Sequence, residues 1–127
     1  MHVFIMRDNW HGGLAAIQSL GRRGHRLTVG VAYRGSVNAQ SDFVSERVAI
    51  LRDDDPQASA QALVDFVEAR GIDLVVPVSD GDVEIVAHAA LLRPECRAFV
   101  APAVAALAEA RDRNAFSELC QRIGLPT

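Results

Sequence analysis

The chain of 127 residues contains no lysine, because all 13 of its basic residues are arginine. This absence excludes three kinds of site within these residues. A P-loop needs a lysine to hold phosphates, and a Schiff-base enzyme needs a lysine amine. A response-regulator receiver needs a lysine near its phosphorylated aspartate. Any phosphate contact made here by a basic side chain is therefore made by arginine.

Signals for metal or redox chemistry are also missing. Cys96 and Cys120 stand at neither metal-ligand nor redox spacing, which favours core thiols. The four histidines form no pair at the spacing of metal ligands: His2, His11, His25 and His88. The sequence thus gives no support for a metal site.

The chain has no long hydrophobic run and no strong excess of charge. No segment approaches the ~18 apolar residues of a membrane span, and the N-terminus does not have the form of a secretory signal. The formal net charge is −3 and the isoelectric point is about 5.7. This balance gives no electrostatic reason to expect nucleic acid or a membrane as a partner. We expect a single domain over residues 1–127, located in the cytoplasm.

Apolar strand-like runs alternate with helix-like segments along the sequence. Strands are predicted over residues 3–6, 27–32, 47–51, 74–78 and 98–101. Helices are predicted around residues 14–20, over 56–70 and 82–92, and over 102–122 with a break near 111–114. This order predicts an α/β fold, a three-layer, Rossmann-like, doubly wound and mainly parallel sheet of about five strands. Ligands of such sheets gather at the carboxyl edge, so the residues that follow strands one, four and five are the candidates.

Two turns carry strong local signals. Asp55 is expected to cap a helix that starts at Pro56, and Gly71 is expected to end it. The acids at 53–55 favour a solvated cap over a cation site. The first turn, residues 7–13, lacks the G-x-G-x-x-G pattern of dinucleotide-binding folds. Its helix N-terminus could still receive an anion, and Trp10 and His11 either line a pocket or simply pack in the turn.

The segment that follows the fourth strand holds three carboxylates within five positions. Asp80 is a candidate helix cap, and acids in a first turn suit the helix dipole, so capping alone explains much of the pattern. The alternative is recognition of a polar or cationic substrate group by Ser79, Asp80 and Glu84. Glu84 lies one turn beyond Asp80, so the two side chains are expected to converge. No complete catalytic set is present, and G-x-S-x-G is absent.

Three segments in sequence resemble the N-terminal, pre-ATP-grasp domain of ATP-grasp ligases, above all the group that is similar to carbamoyl-phosphate synthase. The first segment is residues 20–25 (LGRRGH), which lead into strand two. The second is residues 71–84, with GID, an apolar run, a proline, Asp80 and Glu84. The third is residues 112–126, with Asp112-Arg113, Phe116 and a final GLP.

The resemblance implies a ligase that uses ATP and Mg²⁺ to activate a small carboxylate as an acyl phosphate for capture by an amine. It implies that Arg113 contacts the ATP phosphates, where most members have lysine and the carbamoyl-phosphate-synthase type has arginine. It also implies that Glu84 faces the substrate, with Asp80 and Ser79 at the same edge. An ATP-grasp module, in cis after residue 127 or from a split gene, would hold most ATP and Mg²⁺ ligands. The domain alone is expected to be inactive and to expose apolar surface at its C-terminal helix, where the module would meet it.

Two alternatives remain open from the residues themselves. Arg113 lies between two helical stretches, where a solvated helix face is an equally simple interpretation. The whole chain is alternatively a stand-alone Rossmann-like module that binds a small ligand or a protein partner without enzymatic activity.

Overall fold

A computed structural model describes residues 1–8, 10–32, 36–50 and 54–126, and of Trp10 only the backbone. In this part of the chain four strands and five α-helices follow one another, in agreement with the predicted α/β class. A short 3-10 turn, Asn38–Gln40, precedes the third strand. The strands and α-helices are β1 (His2–Ile5), α1 (Trp10–Arg22), β2 (Arg26–Val31), β3 (Val44–Ala49), α2 (Pro56–Arg70), β4 (Leu74–Val76), α3 (Asp80–Leu92), α4 (Val104–Arg111) and α5 (Arg113–Arg122).

The four strands form one parallel sheet in the order β3-β2-β1-β4. The connection through α1 carries the chain from β1 to β2. The connection through α2 carries it from β3 back past β2 and β1 to β4. The strand order therefore reverses between β1 and β4, and the carboxyl ends of these two strands flank a topological switch point.

Side chains of β1 alternate between the two faces of the sheet. Val3 and Ile5 are buried on one face with Ile17 of α1. Phe4 and the following Met6 are buried on the other face, in a cluster built largely from α2 and α3. A strand covered on both sides is expected to be apolar, as β1 is from Val3 to Ile5. Helices thus lie against both faces of the sheet.

The sheet has four strands in the described part of the chain, not the predicted five. Residues 98–101 form no strand, although Ala98 O accepts one hydrogen bond from Val75 N of β4 at 3.0 Å. The N–H of Phe99 turns back to Cys96 O instead of continuing a ladder. Pro102 has no N–H to offer. The apolar pattern correctly predicted burial, since Ala98 and Phe99 lie in the core. The backbone of this segment, however, makes only one hydrogen bond to the sheet among the described residues.

Strand boundaries also differ from the prediction, by one residue at each end of β1 and β2 and by more in the other two strands. The third strand begins at Val44, three residues earlier than expected, because an edge strand tolerates the polar residues of its first half. The expected end of that strand at Leu51 lies outside the described residues. The fourth strand ends at Val76, two residues before the predicted end at Val78, because Pro77 has no N–H with which to continue the ladder.

Several helix ends confirm the local prediction. The Asp55 side chain accepts a hydrogen bond from Gln57 N at 3.0 Å, and Pro56 is the first residue of α2. Gly71 ends α2 with φ of 60°, a left-handed conformation that suits glycine. The predicted break in the last helical region lies at Asp112. No helix in the described ranges has both the length and the apolar character to cross a membrane.

Candidate functional site

The switch point brings together side chains that are 75 positions apart in sequence. Arg7 follows β1, and Asp82 lies in the first turn of α3, just after β4. Arg7 Nε donates a hydrogen bond to Asp82 Oδ1 at 2.6 Å. The side chain of Asp82 is 1% exposed and that of Arg7 is 15% exposed, so the pair is largely enclosed. A charged pair of this kind fixes the two strand–helix turns against each other.

Asp82 is fully hydrogen-bonded at its carboxylate. Its Oδ2 accepts from Ser79 N at 3.0 Å and from Val78 N at 3.3 Å, in addition to the bond from Arg7 to Oδ1. Ser79 Oγ in turn accepts from Asp82 N at 3.2 Å, which completes a capping box at the start of α3. One aspartate therefore starts the helix and anchors the arginine.

Asp8, the neighbour of Arg7, is fixed by its backbone and not by its carboxylate. Asp8 N donates to Gly30 O at 3.0 Å, and Asp8 O accepts from Asn38 Nδ2 at 2.8 Å. The residue is only 6% exposed, yet its Oδ2 has no hydrogen-bond partner among the described residues. The same holds for Nη2 of Arg7. Burial raises the pKa of the Asp8 carboxyl above its usual value, and a backbone hydrogen bond opposes this less strongly.

Two glycines allow the backbone to come this close at the carboxyl edge. A Cβ on Gly30 of β2 would collide with the carbonyl oxygen of Met6. A Cβ on Gly13 of α1 would lie 2.6 Å from Arg7 O and 2.7 Å from Asp8 C. Gly13, the second of the two adjacent glycines, thus allows close packing of α1 against the turn that carries Arg7 and Asp8.

The predicted substrate residues take different places around this edge. Ser79 is the N-cap of α3, so the expectation that Asp80 caps this helix was wrong. Ser79 is the cap because its hydroxyl accepts a hydrogen bond from the N–H of Asp82, the third helical residue. The Asp82 carboxylate in turn accepts a hydrogen bond from the N–H of Ser79. Asp80 is exposed at the first position of the helix. Glu84, a turn further on, is bound by Arg111 of α4, with Nη1 and Oε2 2.6 Å apart.

Arg113 lies on a different element from the residues that follow β1 and β4. It is the first residue of α5 and is exposed. Asp112 caps that helix, and its Oδ1 accepts hydrogen bonds from Asn114 N at 2.8 Å and Ala115 N at 3.1 Å. Arg113 therefore lies at the capped beginning of a helix, and its phosphate role stays a prediction.

Comparison with known proteins gives no relative from which a role could be transferred. No model of a known protein family matches the chain, and no curated protein sequence matches it either. Any role assigned to these residues therefore rests on their own chemistry and geometry.

The described residues fit the implied cofactors unequally. Arg113 supplies an exposed guanidinium of the type that contacts phosphates. Within the ranges that the structure describes, no three His, Cys, Asp or Glu side chains converge to hold a metal ion.

Sequence reasoning missed the most enclosed polar group of this edge. The prediction treated residue 7 as part of a polar turn and residue 82 as one of several capping acids. The available signal was positional: each residue closely follows a strand whose carboxyl end belongs to the same edge. An arginine and an aspartate at such positions are candidates for a buried pair, but nothing local in the sequence selects Asp82 over Asp80 as the partner.

Proposed function

We propose that the chain is the N-terminal α/β domain of an ATP-dependent carboxylate–amine ligase of the ATP-grasp superfamily. In this role the carboxyl edge between β1 and β4 forms one wall of the substrate site, and Arg113 contacts ATP phosphates. The ATP-grasp module that completes the enzyme is supplied in cis or by a split gene. The partners of the complete enzyme are ATP, Mg²⁺, a small carboxylate and an amine.

One observation carries the proposal. The second family-like segment, residues 71–84, spans β4 and the start of α3, and so flanks the switch point where parallel sheets bind ligands. Asp82 of this segment forms the enclosed ion pair with Arg7, whose neighbour in sequence, Asp8, is also buried. Enclosed charged side chains at the carboxyl edge of a sheet are suited to the recognition of a small charged molecule.

The last two helices offer additional support. They carry exposed apolar side chains, as the resemblance led us to expect for a surface that meets a further module: Phe116 is 48% exposed and the Ile123 side chain after α5 is 60% exposed. In the described part of these two helices, Cys120 is the one buried residue. Exposed apolar surface of this kind is typical of interaction sites.

The first test is the DNA that follows codon 127. A reading frame that continues into an ATP-grasp module, or a neighbouring gene that encodes one, is the expected result. A stop codon with no such gene nearby would contradict the proposal.

The second test is steady-state kinetics of the complete enzyme with Arg113→Ala. Loss of a charged hydrogen bond to phosphate, worth about 1.5–3 kcal/mol, is expected to raise the KM for ATP or lower kcat/KM by about tenfold or more. Arg122→Ala is the matched control, because Arg122 is an exposed arginine at the other end of the same helix. An ATP dependence equal in Arg113→Ala and in the control would remove the phosphate role.

A second candidate function is a stand-alone module that binds a small ligand without catalysis. The observation that favours it is that Arg7, Asp8 and Asp82 all belong to this chain, so the edge needs no second module to present them. Calorimetric titration separates the two functions. The isolated chain is expected to bind ATP weakly at best under the ligase proposal, since one arginine cannot replace the ligands of the missing module.

A further inference from the structure

An ion pair joins the last two helices to the rest of the fold. Arg111 Nη1, at the end of α4, donates a hydrogen bond to Glu84 Oε2 of α3 at 2.6 Å. Among the described residues, this is the one side-chain hydrogen bond between residues 104–126 and the rest of the chain. Apolar burial contributes little beside it, because α4 has no buried residue in the described chain and α5 has Cys120 alone. The position of these two helices therefore depends on the Arg111–Glu84 pair more than a helix in the core would depend on any single pair.

The pair lies between two residues that the proposed function assigns to ligands. Glu84, which faces the substrate in that function, binds Arg111 through Oε2, and its Oε1 makes no hydrogen bond to a described residue. Arg113, which contacts ATP in that function, follows Arg111 by two positions and is exposed. Two residues of chain span at most about 7 Å, so Arg113 cannot lie far from the residue that holds Glu84.

We propose that Arg111 is a positioning residue of the ligase site, whose ion pair with Glu84 holds the junction of α4 and α5 on α3 and so places Arg113 for its contact with the ATP phosphates. This inference rests on the proposed function, because it takes the roles of Glu84 and Arg113 from it. Arg111 itself touches neither ligand. It leaves Oε1 of Glu84 to the substrate and acts on ATP only through Arg113.

Two features let an ion pair on α4 determine the position of α5. Asp112 is at once the C-cap of α4 and the N-cap of α5, so no flexible linker separates the two helices. Arg122 Nη2 of α5 also donates to Glu109 Oε1 of α4 at 3.5 Å. A displacement of α4 that follows loss of the Arg111–Glu84 pair is therefore transmitted to the first residue of α5.

The structural half of the proposal is tested on the 127-residue chain by hydrogen–deuterium exchange. Arg111→Gln and Glu84→Gln each remove one charge of the pair with little change of shape. Each is expected to speed exchange in α4 and α5 about twofold to fivefold, the range for pairs with this degree of exposure, and to leave β1 and α2 unchanged. The double variant is expected to exchange no faster than either single variant, because both remove the same interaction.

Arg97→Gln is the matched control for these variants. Arg97 is an exposed arginine that belongs to none of the ion pairs of the described chain, so its loss changes the net charge equally. Exchange in α4 and α5 that is equal in Arg111→Gln and Arg97→Gln would overturn the proposal, because the pair would then hold nothing in place.

The positioning role is tested by a double-mutant cycle in the complete enzyme. Arg111→Gln is expected to raise the KM for ATP about twofold to fivefold, and Arg111→Lys, which keeps the charge, is expected to restore most of the loss. In an Arg113→Ala background, Arg111→Gln is expected to cause no further change, because the contact that it positions is already absent. Additive effects of the two substitutions, or an unchanged KM for ATP in Arg111→Gln, would overturn the positioning role.

These outcomes separate this proposal from the proposed function. A changed ATP dependence in Arg113→Ala together with an unchanged one in Arg111→Gln would reject the positioning role and leave the ligase assignment standing. An unchanged ATP dependence in Arg113→Ala would reject the phosphate role itself and with it the positioning role.

Discussion

At the scale of single residues, Asp8 is only 6% exposed, and its Oδ2 has no hydrogen-bond partner among the described residues. Burial raises its pKa in the folded chain, so the folded state binds this proton more tightly than the unfolded state does. The stability that comes from the protonated group is fully present below the unfolded pKa of about 3.9 and is lost as the pH rises through the higher folded pKa.

The prediction is that Asp8→Asn raises the melting temperature near pH 7, because the variant cannot ionise. The gain is expected to shrink as the pH falls and to vanish once the wild-type carboxyl is protonated in both states. Thermal melts at pH 7 and at the lowest pH at which the wild type stays folded provide the measurement. A gain that does not depend on pH would mean that ionisation of Asp8 is not its cause.

Gly30 offers a second prediction for a single residue. A Cβ at this position meets the carbonyl oxygen of Met6, which is backbone and cannot swing aside. Gly30→Ala is therefore expected to lower the free energy of unfolding by about 1–3 kcal/mol, the usual cost of overpacking. Denaturant titration measures it.

Gly81 is the matched control for Gly30. Its added Cβ has only Ser79 Oγ nearby, at 3.9 Å, and it lies inside α3, where alanine is favoured over glycine by up to about 1 kcal/mol. Gly81→Ala is expected to leave the chain equally or more stable. Similar losses in the two variants would contradict the close approach of β2 to the turn after β1.

Residue-scale signals of short range were predictable, and those of long range were not. Asp55, Pro56 and Gly71 act within a few positions of themselves, so their pattern determines their role. Arg7 and Asp82 are paired across 75 positions, and their pairing depends on which strands become neighbours. The choice between Ser79 and Asp80 as the cap rests on a reciprocal bond from Asp82, which a single-position preference does not contain.

At the scale of secondary-structure elements, the Arg7–Asp82 pair joins the turn after β1 to the start of α3. Asp82→Asn keeps the shape but removes the charge that balances Arg7. Removal of one partner of a buried pair costs about 3–5 kcal/mol, and the lower end is expected because Arg7 is 15% exposed. Denaturant unfolding at neutral pH measures the loss.

The control for this variant is an exposed pair between elements. Arg93 Nε and Glu68 Oε1 are 2.7 Å apart, but their side chains are 43% and 52% exposed. Glu68→Gln is expected to change stability by about 1 kcal/mol or less, as for most surface pairs. Equal effects of Asp82→Asn and Glu68→Gln would show that the edge pair has no special role in joining the elements.

Element type was more predictable than element partnership. Apolar runs identified all four strands of the described chain, because β-branched and apolar residues fill a sheet that is covered on both faces. The same signal predicted a strand at residues 98–101, where Ala98 and Phe99 are buried but the backbone makes one ladder bond. Burial and sheet pairing are separate properties, and hydrophobic pattern reports only burial.

At the scale of the whole molecule, the core is concentrated in the sheet and in its nearest helices. The two apolar clusters lie on opposite faces of the sheet and draw on α1 on one side and on α2 and α3 on the other. By contrast, α4 has no buried residue in the described chain, and α5 has Cys120 alone. The C-terminal pair of helices thus contributes little apolar burial to the fold.

This uneven distribution predicts uneven protection of backbone amides. The amides of β1 and α2 are expected to exchange only through global unfolding, because their side chains are enclosed in the core. Amides of α4 and α5 are expected to exchange faster, by local opening that exposes few apolar contacts. Hydrogen–deuterium exchange of the 127-residue chain, followed by mass spectrometry of peptides, makes the comparison.

The exchange experiment also bears on the ligase proposal at this scale. If a separate ATP-grasp module covers the exposed apolar side chains of the last two helices, its addition is expected to slow exchange in α4 and α5 and to leave β1 and α2 unchanged. Phe116→Ser is the matched variant, because this side chain is 48% exposed and its loss costs the isolated fold little. Uniform protection of all helices in the isolated chain would contradict the loosely held C-terminal pair, since α4 and α5 would then unfold only together with the sheet.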